Sequence, residues 1–221
     1  MLVTLLRKDL SLVARNLKSL LSLFFFSILL AFVFSFSFLT LGLTSLAQGQ
    51  LYPAILVVTT LFVSSLLFSQ TILAEREEGA LLGLIYSGYS GTQLFASKLI
   101  TNFIVLILIL VAFIFELELF FTELSAFVTV QIVLVLLPFG LAISAIGTLL
   151  SLIATVSSSR ELLFAILFFP LSLPSVGAAL DQFKTVISGD SLEFGSFAMI
   201  VLLVSALVYT TLGAILFDEA V

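Results

Sequence analysis

The sequence predicts an all-α polytopic membrane protein, with an N-terminal interfacial amphipathic helix followed by six transmembrane helices in a single domain, 1–221. Three observations carry this reading. First, of 221 residues 62% are hydrophobic and 10% charged, against about 45–50% and about 25% in a soluble domain, and mean hydropathy is +1.36. A chain of this size folded in water still exposes much of its surface and could not hide so much hydrocarbon. Second, the apolar residues gather into six runs long enough to cross a bilayer. Third, with the N-terminus placed inside, Arg7, Lys8, Arg15, Lys18, Arg76, Lys98 and Arg160 fall on the cytoplasmic side and only Lys184 falls outside. That asymmetry orients multi-pass proteins and puts both termini in the cytoplasm.

Residues 1–19 repeat apolar positions Leu2, Leu6, Leu10, Val13 and Leu17 at spacings of three and four, with Thr4, Lys8, Ser11, Arg15 and Lys18 on another face. This is an amphipathic helix, and its cations suit the anionic headgroups of a membrane surface. Span one follows at about 20–44. Its basic front and the small residues Ser45 and Ala47 resemble a signal peptide, but the apolar run is longer than an h-region. Span two covers about 51–74. The segment 75–93 is charged at its start and dotted with glycine. Span three covers about 94–115, and an acidic loop with Glu116, Glu118 and Glu123 follows it. Span four (about 127–154) contains Pro138. Span five (about 162–180) contains Pro170 and Pro174. A soluble loop, Asp181 to Glu193, precedes span six at about 194–217.

The composition excludes much chemistry. The chain has no Cys and no His, so it offers no thiolate, no imidazole ligand and no Ser–His pair. No catalytic residue, bound cofactor or metal site is expected in it. A formal charge of −5 gives no basic surplus for nucleic acid. The spans present hydroxyls and amides (Thr59, Thr60, Ser64, Ser65, Ser69, Gln70, Asn102, Gln131, Ser144) rather than the mid-membrane ionisable groups of pumps and secondary transporters. Energy for any transport therefore has to come from a partner.

Three groups of residues stand out. Gly140, Ser144, Gly147 and Thr148 form a small-residue face on span four, suited to close helix packing within the subunit or across a dimer. Pro170 and Pro174, one turn apart, each remove a backbone donor, making span five either a transport hinge or a static kink; Pro138 does so once in span four. The third group, Glu75-Arg76-Glu77-Glu78-Gly79 with Leu81, Leu82 and Gly88, reads as a short helix with acid at its start, where the helix dipole favours it. It would form a cytoplasmic knob on which a soluble partner can push. The alternative is an ordinary loop whose charges mark the membrane edge.

That last segment, Glu78-Gly79-Ala80-Leu81-Leu82-Gly83-Leu84-Ile85-Tyr86-Ser87-Gly88 followed by Lys98, resembles the coupling region of ABC-2 permeases. It departs from their pattern at Leu82, where they carry Glu, and at Gly88, where they carry Pro. A narrower resemblance is to the CcmB family, on chain length, six spans, the basic amphipathic N-terminus and Phe169-Pro170-Leu171-Ser172-Leu173-Pro174. The resemblance implies an ABC-2, type V exporter-like permease, dimerised with a second copy and driven by two CcmA-type ATPases that hold ATP and Mg. It also implies CcmC- and CcmD-type membrane partners, bacterial inner-membrane location, and haem as possible cargo or a haem-loaded periplasmic chaperone as the thing released. The alternatives are an ABC-2 permease for another lipid-like or drug-like substrate and a non-transporting scaffold.

Overall fold

The computed structural model describes residues 2–78, 89–120, 130–155 and 160–220. These residues form the helices α1 (Leu2–Arg15), α2 (Leu17–Leu41), α3 (Ser45–Glu78), α4 (Gly91–Phe120), α5 (Val130–Thr155), α6 (Arg160–Ile187) and α7 (Phe197–Ala220). Six of them, α2 to α7, are long and apolar enough to span a bilayer. An all-helical answer is what lipid demands, since each backbone donor must find its acceptor within the segment.

Local chemistry sets the ends. Asn16, at ψ 60°, interrupts the first helix and caps the second, its side-chain oxygen accepting the Ser19 N–H at 3.3 Å, as Asn does at helix starts. Gly42 stops α2 in the left-handed region at φ 60°. Its N–H donates to Leu39 O at 3.2 Å and the Leu43 N–H to Phe38 O at 3.2 Å, a glycine C-terminal cap.

The most enclosed helix is α5, and α2 and α7 are the least. Around α5 pack α3, α4, α6 and α7, while α1 and α2 lie on the outer flank against α4 and α3. The core is rich in phenylalanine. Phe164 stacks on Phe168 at 5.1 Å between centroids, Phe68 lies 5.9 and 6.2 Å from those two rings, and Phe139 meets Phe183 edge-on at 6.4 Å, separations at which aromatic pairs attract. The inner line of α2 is small, Ser27, Ala31 and Ser35 being buried. Its outer face shows Phe25, Phe32 and Phe36 to what would be acyl chains, as apolar as the rings themselves.

Contacts between helix ends fix which ends lie together. Ser19 of α2 bonds Gln70 of α3. Gly91 of α4 abuts the Phe217 carbonyl of α7, and Leu5 of α1 joins the cluster of Leu94, Phe95, Leu99, Ala145 and Phe217. One end of the bundle therefore carries α1, the starts of α2 and α4, and the final turns of α3 and α7; it is called the terminus-bearing end below.

Several boundaries differ from the sequence reading, two of them with consequences for the core. The helix of span five does not stop at 180 but runs to Ile187, because Phe183 and Val186 are buried in the core and continue the inward stripe of Ala179 at helical spacing. The soluble loop from 181 is accordingly shorter. Likewise Glu116 is not in a loop. The third span stays helical to Phe120, and Glu116 lies inside it, only 6% exposed.

Candidate functional site

The terminus-bearing end holds the charged segment singled out above. Glu75, Arg76, Glu77 and Glu78 do not begin a separate short helix, as the sequence suggested: they are the last turn of α3, which runs from Ser45 to Glu78 without interruption, so the acid stands at the C-terminal end of a helix rather than at the start that its dipole favours. At about 1.5 Å per residue a helix of 34 residues is about 51 Å long, more than a bilayer's hydrocarbon requires. The apolar part ends near Thr71, so the acidic turns extend the same rod beyond it. Gly79, Leu81, Leu82 and Gly88 lie outside the described residues.

The chain re-enters at Ser90, whose hydroxyl accepts the Gln93 N–H at 3.3 Å and caps α4. The first turns of α4 are then gripped from two sides. On one, Gly91 sits so close to the Phe217 carbonyl that a side chain there would overlap it; Phe95 packs on Phe217 at 5.2 Å between centroids and fills the space over Gly213. Thr92 donates its hydroxyl (3.0 Å) and its N–H (3.4 Å) to Asp218 Oδ1. On the other side, Ser97 donates to Asp9 Oδ2 of α1 at 2.5 Å, and Asp9 Oδ1 pairs with Lys8 at 3.3 Å. The buried face of α1 thus meets protein, at the start of α4.

The small-residue face lies inside the subunit. Gly147 rests on the Phe68 ring of α3, and a Cβ at Gly140 would come within 2.8 Å of Ile107 in α4. Ser144 and Thr148 are fully buried, and Thr148 Oγ1 accepts from Asn102 Nδ2 at 3.1 Å. Pro138 is inside α5, and Pro170 and Pro174 are inside an α6 that continues through both. Near that pair Ser172 donates to Phe169 O at 2.9 Å and Tyr209 of α7 donates to Leu171 O at 3.3 Å, so two side chains supply donors to carbonyls around the prolines. Gln70 ties α3 to α2, its Nε2 donating to Ser22 at 2.9 Å and its Oε1 accepting from Ser19.

Glu116 is the functional-type residue that the sequence reading put on the wrong side of a boundary. Its Oε1 lies 3.0 Å from Ser27 Oγ, whose single proton is shared between that oxygen and Phe24 O, 2.8 Å away. Oε2 is buried with no hydrogen-bond partner among the described residues. The signal was in the spacing: Glu116 stands three residues after Phe113 and seven after Ile109, both buried, on one helix face. Asp218 and Asp9 could not be paired with Thr92 and Ser97 from sequence, since their partners are 126 and 88 residues away.

Six apolar helices, with the acidic turns of one prolonging it past its apolar stretch, define a multi-pass membrane protein. The family model described as CcmB protein matches residues 1–220, and the chain belongs to the CcmB family. This is a family of permease subunits of cytochrome c maturation, which act with ABC ATPase partners. No curated protein and no solved structure matches the chain.

Proposed function

We propose that this chain is the permease subunit through which a CcmA-type ATPase, holding ATP and Mg, drives haem export or the release of a haem-loaded periplasmic chaperone. The terminus-bearing end faces the cytosol of a bacterium and the helices cross its inner membrane. Two ATPase copies act on a dimer of this chain, with CcmC- and CcmD-type proteins alongside. The charge asymmetry of Lys and Arg supports the orientation.

The observation that carries the mechanism is the unbroken α3. A flexible joint at Ala74 would absorb a push from below. A helix continuous to Glu78 instead passes displacement of the acidic turns along a rod packed against α5 and α6. The chain holds no nucleotide motif, no His and no Cys, so we assign it transmission rather than haem ligation. Tyr209, one of four tyrosines, already has its hydroxyl engaged by Leu171 O.

The test is reconstitution in lipid vesicles with the ABC ATPase that co-purifies with the chain. Stimulated ATP hydrolysis is expected only with both proteins present. A complex that assembles and never turns over faster than the ATPase alone would make the chain a scaffold. An axial-ligand haem spectrum from the purified subunit would contradict the transmission role.

A further inference from the structure

Asp218 and Glu219 stand in the last turn of α7, which has no basic residue. That is the wrong end of a helix for carboxylates, because its unsatisfied carbonyls make it negative. Where a sequence breaks a local rule, the compensation is to be sought in tertiary structure. For Asp218 it is α4: the carboxylate lies at that helix's positive N-terminus and accepts two bonds from Thr92. Gly91 adds a backbone approach that no other residue type permits, and Phe95 fits between Phe217 and Gly213. Three independent features thus join one turn of α4 to one turn of α7, immediately after the segment 79–90 ends.

We propose that this junction couples α4 to α7, with Asp218 as its positioning residue: a force applied at the start of α4 moves the two helices as one body. The inference rests on the reading of residues 75–90 as the ATPase contact. Without the junction, α4 keeps its hold on α1 through Ser97 and Asp9 but loses the polar link that carries its movement to α7.

The chain has no Cys, so the test needs no background removal. Wild type is reconstituted with its co-purifying ATPase; absence of stimulation there would sink the coupling reading itself, not the junction alone. Given stimulation, Asp218→Ala is expected to lower it at least about fivefold, the low end of ordinary coupling energies, with co-purification unchanged and Asp218→Glu restoring it. In the paired variant Thr92→Cys with Asp218→Cys, oxidation to the disulfide is expected to preserve stimulation, because the two turns move together. Full stimulation by Asp218→Ala, failure of Asp218→Glu to rescue, or loss of stimulation on forming the disulfide would each overturn the proposal.

Discussion

Gly147 of α5 lies directly against the ring of Phe68 in α3, and the ring occupies the space a side chain would need. Phe68 cannot retreat freely, since Phe164 and Phe168 of α6 stand behind it. Helices in lipid gain nothing from leaving an apolar solvent, so such close approaches hold the bundle together. Gly147→Ala is expected to destabilise the subunit by about 1–3 kcal/mol, the usual range for overpacking, despite alanine's better helix propensity. Denaturant unfolding in detergent measures this. The same change in a Phe68→Leu background should cost less, because the obstructing ring is gone. A Gly147→Ala variant as stable as wild type would show that the contact is not tight.

The Glu116–Ser27 pair predicts an asymmetry. Ser27→Ala removes the only side-chain bond to the Glu116 carboxyl among the described residues and is expected to cost about 1–3 kcal/mol. Glu116→Leu removes the unpartnered oxygen together with the carboxyl and leaves Ser27 bonded to Phe24 O, so it is expected to be neutral or stabilising. In the Glu116→Leu background Ser27→Ala should become nearly silent, which a double-mutant cycle reads. If Glu116→Leu is stable but inactive, the carboxyl has a role in transport beyond packing.

Asn102 and Thr148 join α4 to α5 by a buried bond. Interhelical side-chain bonds in membranes are worth about 0.6 kcal/mol on average. A cycle with Asn102→Ala and Thr148→Val should therefore return a coupling below about 2 kcal/mol. A larger value would point to an additional partner for the Asn102 amide.

Tyr209→Phe removes the hydroxyl that donates to Leu171 O beside the two prolines and is expected to cost about 0.5–1.5 kcal/mol. The loss should shrink in a Pro170→Ala, Pro174→Ala background if the prolines loosen that stretch of α6. Thermal unfolding of the four variants separates the outcomes. An equal loss in both backgrounds would show that the bond is independent of the prolines.

The spans were legible because bilayer thickness imposes a length and lipid imposes a composition, and neither depends on partners distant in sequence. Their ends were less legible. The stop placed at 180 followed Asp181, Gln182 and Lys184, yet Phe183 and Val186 continue the buried stripe, Gln182 is buried with them and donates to Ser196, and only Asp181 and Lys184 face outward. The acid at 116 suggested a loop for the same reason: a charge was weighed by type rather than by helical face. Asp9–Ser97 and Thr92–Asp218 had no local signature, because a hydroxyl and a carboxylate many turns apart meet only once the bundle has formed. Glu75 to Glu78 were recognisable by their composition, whereas their place on a continuous α3 came only from the structure.

The acidic turns also give the most direct measurement of the central claim, that force enters this chain at the end of α3. Glu77→Lys with Glu78→Lys is reconstituted with the co-purifying ATPase, and membrane insertion and ATP hydrolysis are followed together. The account predicts normal insertion with stimulation abolished. Stimulation equal to wild type after the charge reversal would contradict it.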